Sequence, residues 1–323
     1  MRQALAGAGG YIALTLLPLA FGSLADYYAE ILTVVAVFAI LAVSIDLVVG
    51  LAGQITLGHA AFFAVGAYGS AILTTRYGWP HLAAAAAAAA AASLVAYVVG
   101  RAVLHLRGYY LAMATLGLTG VVYTLLIGLR ELAGGAAGMG GIPHLRIFGF
   151  VLDDPLHYYA VVLAVAVLVV CVCRRIARSA YGRALIAIHG DEETATALGI
   201  RVAQYKINVF VFAAALASIA GTLFAHHLRF IAPDDFTIGQ SIHILVMAFL
   251  GGIGTVFGPV LGAVVLQLLP EFSHHFKDYQ TLSTGLVLML VLAFFPGGLY
   301  GLLRMLLARI PRAGRAGAPA AAD

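Results

Sequence analysis

The sequence predicts an all-α polytopic membrane protein of about ten transmembrane or half-spanning helices, with a glycine-rich broken hairpin near 251–259. Three observations predict it. Of 323 residues, 63% are apolar and only 10% charged, whereas roughly a quarter are charged in soluble domains. The mean hydropathy of +1.01 reflects more apolar surface than a protein core can bury, so a bilayer has to be the solvent for most of it. The apolar residues also fall in runs near the length of about 20 residues that a helix needs to cross about 30 Å of hydrocarbon.

The runs justify the elements in order. The first, 10–25, follows Arg2 and precedes Ser23-Leu24-Ala25, a layout shared with secretory signal peptides. It is read as an uncleaved span, and cleavage would leave the downstream topology unchanged. Runs at 30–50 and 55–75 follow. The next, 82–100, contains ten consecutive alanines from Ala83 to Ala92, which favour helix and close packing. Further runs lie at 108–129, at 157–173 and at 207–228. Cys171 and Cys173 end the 157–173 run in a C-x-C pattern; with no His or Cys partner nearby in sequence, they read as small buried residues near a helix end. The stretch 241–270 is too long for one span and too short for two. Its centre, Gly251 to Pro259, holds four glycines and a proline, which predicts a broken helix or tight hairpin. A last run covers 281–303.

Charge placement orients the chain. With the loop 174–206 cytoplasmic and the hairpin counted as two crossings, both termini lie inside, together with 101–107 and 174–206. Thirteen of the 18 Lys and Arg then lie inside, as the positive-inside rule requires. Counting the hairpin as one crossing would put the arginine-rich C-terminus outside. Residues 1–303 are therefore expected to form one transmembrane domain with a cytoplasmic loop at 174–206, and 304–323 a basic, disordered cytoplasmic tail. The pI of 9.1 comes from these scattered loop charges and points to membrane orientation, with no nucleic-acid partner. The outer loop 130–156, with Gly134-Gly135 and Gly138-Met139-Gly140-Gly141, reads as an irregular connector or a contact for an external partner.

The two lysines, Lys206 and Lys277, do not follow a phosphate-loop pattern, which excludes a Walker-type ATPase within this chain. No H-E-x-x-H and no G-x-S-x-G motif is present. The pairs His226-His227 and His274-His275 make poor joint metal ligands, because adjacent residues project about 100° apart on a helix. No catalytic residue, metal or cofactor is expected.

Two stretches carry the polar groups that hydrocarbon tolerates least. Asp46 is the one acid well inside an apolar run, at an insertion cost of about 2.5–3.5 kcal/mol. It reads as a pathway or structural hydrogen-bonding group, or as a group near water at the cytoplasmic end. Just beyond it, Gly50, Gly53 and Gly58 permit kinking, and Gln54, Thr56 and His59 are polar; irregular backbone at membrane depth marks a candidate pathway. Leu51, Gly53 and Thr56 are echoed by Leu250, Gly252 and Thr255 at a constant offset of 199, which adds Gly252 and Thr255 to the candidates and hints at two repeated halves. In the loop 174–206, Glu192 to Gly199 can form a short helix after Asp191, with acids in its first turn and a small apolar face at Ala195, Ala197 and Leu198. It reads either as a solvated amphipathic loop or as a projection that docks into a groove on a motor subunit.

Glu193-Thr194-Ala195 followed by Gly199 resembles the E-A-A-x-x-x-G coupling signature of ABC importer permeases, with Thr194 at the middle alanine. The I-x-L-P ending of the fuller signature is absent, Val209-Phe210-Val211-Phe212 standing in its place, which argues against maltose-type permeases. The wider pattern resembles the LivM family, permeases of branched-chain amino-acid ABC importers. It is carried by SIDLVVGLAGQITLGHAAFFAVGAY (44–68), GYYLAMATLG (108–117), GRALIAIHGDEETATALGI (182–200) and AFLGGIGTVFGPVLGA (248–263). The resemblance implies a bacterial inner-membrane subunit paired with a homologous, LivH-like permease. It also implies two ABC ATPase subunits docked through Asp191, Glu192, Glu193, Ala195, Leu198 and Gly199, and a periplasmic amino-acid-binding protein that delivers Leu, Ile or Val.

Two alternatives stand beside it. One is an ion-coupled secondary transporter with Asp46 as the coupling carboxylate, which predicts more intramembrane ionisable groups and leaves the acidic helix unexplained. The other is the same ABC architecture importing urea, amides or aromatic acids. A non-transporting scaffold would have no use for a glycine-broken hairpin.

Overall fold

The computed structural model describes residues 24–272 except 107 and 148, with a few isolated positions beyond; the first run, nearly all of the last run and the basic tail lie outside the described residues. Among the described residues, five helices are long and apolar enough to cross a membrane, and the chain is an all-α, multi-pass membrane protein. They are α1 (Ala25–Asp46, continued by a wide turn over Leu47–Leu51), α3 (His81–Val103), α4 (Tyr109–Gly128), α5 (Pro155–Arg178) and α8 (Val202–Leu228). Between them lie α2 (His59–Thr75), α6 (Ala180–Gly190) and α7 (Glu192–Ala197), and after them α9 (Ile238–Gly251) and α10 (Gly258–Phe272).

The apolar helices sort themselves by what surrounds them. α1 is apolar all round, the pattern of a helix enclosed by protein, and 83% of its most apolar window is buried. It packs against α5, α8 and α10, while α8 packs on α2 and α3. α3 and α4 are less apolar than α1 and mostly uncovered, as a peripheral position in lipid allows. The polyalanine run of α3 buries Ala84, Ala88 and Ala92, and the same face continues through Ala96 and Gly100. A stripe of small residues every fourth position lets the helix backbones approach closely where lipid gives no hydrophobic drive for association.

α2 and α8 show that approach at its limit. A Cβ at Gly66 would lie 2.1 Å from the Ser218 carbonyl oxygen, and one at Gly221 would lie 2.1 Å from that of Phe63. The crossing is pinned by Ser70 Oγ and His226 Nε2, 3.0 Å apart, and by Thr222 Oγ1, which donates to the Gly66 carbonyl at 3.3 Å.

The loop 130–156 is more ordered than a connector. β1 (Met139–Gly140) pairs antiparallel with β4 (Phe230–Ile231), and β2 (Arg146–Ile147) pairs with β3 (Phe150–Val151). Two-residue strands carry no readable alternation, which is why the sequence shows only glycines there. His226 Nδ1 ties the loop to α8 by donating to the Pro143 carbonyl at 2.9 Å. The reading of both cysteines as buried needs correction: Cys173 is buried and Cys171 exposed. Positions i and i+2 on a helix diverge by about 200°, so one apolar-packed face cannot cover both.

Candidate functional site

The polar positions of the apolar runs gather where two helices break. α1 widens into the π-type turn Leu47–Leu51, a local fault that recurs at functional sites. Residues 52–58 are not helical, and α2 starts at His59. The second break follows α9, which ends at Gly251; Gly252 has φ of 114°, and α10 starts at Gly258. Thr255 Oγ1 donates to the Gly252 carbonyl at 2.7 Å, holding the tip between α9 and α10.

Asp46 joins the two breaks. Its side chain is almost fully buried at 2% exposure, and Oδ1 accepts from the Gly254 backbone N–H at 2.8 Å. Only glycine at position 50 permits this: a Cβ there would lie 2.2 Å from Asp46 Oδ1 and 2.5 Å from the Gly254 nitrogen.

An unwound segment inside an apolar protein must find a partner for each backbone group. The Gln54 N–H donates to the Val48 carbonyl at 3.0 Å. The Leu57 N–H donates to Thr115 Oγ1 and its carbonyl accepts from Thr119 Oγ1, both at 3.0 Å. The Gly58 N–H donates to Thr56 Oγ1 at 3.3 Å, and the Ala60 N–H to Ser241 Oγ at 3.0 Å. His59 Nε2 lies 2.7 Å from Ser44 Oγ. Thr115, Thr119, Ser241 and Ser44 were missed by sequence reasoning. Their signal was present as hydroxyl side chains in the middle of apolar runs, but serine and threonine also bond their own helix turn and so say little alone. Gln54 differs from all of these: it is 4% exposed, and neither its Oε1 nor its Nε2 has a hydrogen-bond partner.

The acidic segment forms a second cluster. Ser179 caps α6 by accepting from the Gly182 N–H at 3.3 Å. Asp191 caps α7 by accepting from the Thr194 N–H at 2.5 Å, which satisfies one of the orphan donors of a helix start. α7 stops at Ala197, and the Gly199 N–H closes the turn onto the Thr196 carbonyl at 2.9 Å. Of the expected docking residues, Glu193, Leu198 and Gly199 face outward, Leu198 at 74% exposure. Ala195 is buried, and Glu192 turns inward to an ion pair with Lys206, which is itself buried at the base of α8. A groove of about 640 Å³ beside α7 is lined by Leu104, His105, Glu192, Thr196, residues 199–204 and Lys206.

α6 rests on α8 through Tyr181, whose ring stacks on Tyr205 at 4.7 Å and whose hydroxyl donates to the Tyr205 carbonyl at 3.0 Å. Burial first, and the neighbouring Tyr205 second, push the Tyr181 phenol up to about 12. Two contacts tie the loop region to the breaks: His189 Nδ1 lies 3.2 Å from the Gly50 carbonyl oxygen, and the Arg174 guanidinium sits 5.2 Å over the Phe257 ring. Among the described residues, no group of three His, Cys, Asp or Glu side chains is arranged to hold a metal ion.

Residues 27–295 match a sequence family described as branched-chain amino acid transport system / permease component. The chain is 35% identical over 298 residues to the high-affinity branched-chain amino acid transport system permease protein LivM of Salmonella typhimurium, covering 85% of this chain and 70% of that one. LivM of Escherichia coli is 33% identical with the same coverage. The Escherichia coli permease LivH is 25% identical over 83% of this chain and 92% of its own length. No solved structure matches the chain. The chain belongs to the family of branched-chain amino acid transport system permease components.

Proposed function

We propose that this chain is one of two membrane-spanning subunits of an ABC importer that carries leucine, isoleucine and valine across the bacterial inner membrane. A homologous, LivH-like permease is its partner in the bilayer. A periplasmic binding protein delivers the solute, and two ATPase subunits supply the energy. Residues 1–303 are the permease domain, with about ten crossings when the 251–259 hairpin counts as two, and with both termini in the cytoplasm.

The observation that carries this reading is α7, a capped acidic helix held rigidly to the base of α8 while Glu193 and Leu198 point away from the protein. An exposed apolar side chain on a rigid projection fits a groove on a partner. Glu193, Leu198 and Gly199 are its contact face; Asp191, Glu192 and Ala195 hold its shape. The solute path runs past the two helix breaks, through Asp46, Gln54, Thr56, His59, Gly252 and Thr255. Gln54 is the member with hydrogen-bonding capacity to spare, and an orphaned buried amide costs about 1–3 kcal/mol until water or solute satisfies it.

Reconstitution of the chain with its partner subunits in proteoliposomes tests the proposal. ATP-dependent leucine uptake in the presence of loaded binding protein is the expected result. Undiminished uptake without any ATPase subunit would overturn it in favour of an ion-coupled carrier. ATP-dependent uptake of urea, amides or aromatic acids in place of leucine would keep the architecture and replace the solute.

A further inference from the structure

We propose that His189 is the positioning residue through which movement of the ATPase-docking helix reaches the two helix breaks. The proposal rests on the reading of α7 as the docking helix. His189 is the penultimate residue of α6, two positions before the Asp191 cap of α7, so the two helices turn about one short joint. α7 is joined to the last turn of α6 by hydrogen bonds: the Asp191 N–H donates to the Ala187 carbonyl of α6 at 3.1 Å, and the Ala195 N–H to the Asp191 carbonyl at 3.1 Å. A push on α7 is therefore carried into the last turn of α6.

That turn ends on the fault in α1. The Nδ1–H of His189 donates to the Gly50 carbonyl at 3.2 Å across 139 residues of chain, with the tautomer assigned from the carbonyl's being an acceptor only. Gly50 belongs to the π-type turn, where the regular helical ladder has ended and a carbonyl is left without its usual donor. The ring also packs flat against Gly53, where a Cβ would lie 2.6 Å from His189 Cδ2. Gly50 in turn abuts Asp46 Oδ1 and the Gly254 nitrogen, so a shift of its backbone moves the acceptor that holds the second break. A contiguous chain of packed and hydrogen-bonded groups thus runs from α7 to the tip between α9 and α10. Spatial contiguity alone does not establish coupling, so the test has to read coupling and not assembly.

The complete transporter is reconstituted with His189→Ala, His189→Asn and His189→Gln, and three quantities are measured: co-purification of the ATPase subunits, thermal stability of the complex, and solute imported per ATP hydrolysed. An asparagine amide nitrogen occupies nearly the place of Nδ1, and a glutamine amide that of Nε2. The expected result is normal co-purification in all three. Import per ATP should fall at least tenfold in the alanine and glutamine variants and return to within about twofold of the parent in the asparagine variant. Unchanged import per ATP in His189→Ala overturns the proposal, as does loss of ATPase binding, which would make His189 part of the dock. If the alanine variant does not fold, the comparison of asparagine with glutamine decides, and equal import by the two overturns the proposal. A parent chain that binds no ATPase would sink the importer reading itself, and this inference with it.

Discussion

Asp46→Leu should leave the protein inserted and folded while removing most of its transport. In the native protein, Asp46 Oδ1 accepts from the Gly254 N–H at 2.8 Å in a nearly fully buried position. Leucine leaves that N–H unpaired, at a cost of about 1–3 kcal/mol. The same change removes an acid from an apolar span, which returns about 2.5–3.5 kcal/mol on insertion scales. The two terms offset, so membrane yield and melting temperature should stay near those of the parent. What is lost is the tie between the breaks. A buried hydrogen bond is worth about 0.5–1.5 kcal/mol net, enough to shift the ratio of tied to released tip roughly 2- to 13-fold. The assay is uptake by the reconstituted transporter beside thermal unfolding of the same preparation in detergent. Asp46→Asn keeps an acceptor oxygen and should fall between the two. Normal uptake by the leucine variant would refute a transport role for the tie, and a variant that fails to accumulate would refute the offset of the two energies.

Gly66→Val places a Cβ 2.1 Å from the Ser218 carbonyl and should destabilise the α2–α8 crossing by at least about 1–3 kcal/mol, read as a lower melting temperature. Lys206→Ala removes the cation paired with Glu192; because that side chain keeps 27% exposure, the loss should fall below the 3–5 kcal/mol typical of broken buried pairs, at about 1–3 kcal/mol. The double variant Lys206→Met with Glu192→Leu should recover most of that stability. Glu193→Arg changes an outward side chain and should lower ATPase co-purification with no change in melting temperature. Tyr181 titrates at about 12 in the folded protein against 10.0 ordinarily. Its neutral form therefore contributes stability that is complete below pH 10 and is lost as pH rises through 12. An alkaline titration of tyrosinate absorbance should show that late step, and Tyr181→Phe should remove it.

The spans were legible because each is longer and more apolar than any core helix needs to be, and a bilayer leaves the backbone little choice but helix. The run 157–173 marks only the apolar part of α5, which the Asp154-Pro155 cap and the closing Arg175 and Arg178 extend to Pro155–Arg178. α6 is less legible: within 174–206 the acids mark α7, whereas α6 is announced only by the Ser179 cap, and a single serine is a weak helix signal. The acidic segment is legible as one short helix but its residues are not sorted, because sequence cannot tell which of three consecutive acids turns inward. Glu192 does so because Lys206 waits one helix away, fourteen residues later and on the same side.

The link between the breaks was harder to see, and the reason is instructive about the site itself. Asp46 and Gly254 are 208 residues apart, and no local pattern joins them. The echo of Leu51, Gly53 and Thr56 in Leu250, Gly252 and Thr255 extends to the helix starts at His59 and Gly258, which keep the offset of 199. The position that corresponds to Asp46 is Leu245, and the one that corresponds to Gly50 is Phe249. The two breaks are thus alike in form but unlike in chemistry: one carries the acceptor and the space, the other the donor. A single carboxylate serves both, which limits the insertion cost to one acid. The pairing is directional, so the Gly254 N–H of the second break depends on the carboxylate that the first presents. That asymmetry makes the π-type turn, and not the hairpin tip, the place where a displacement of α7 would have its effect.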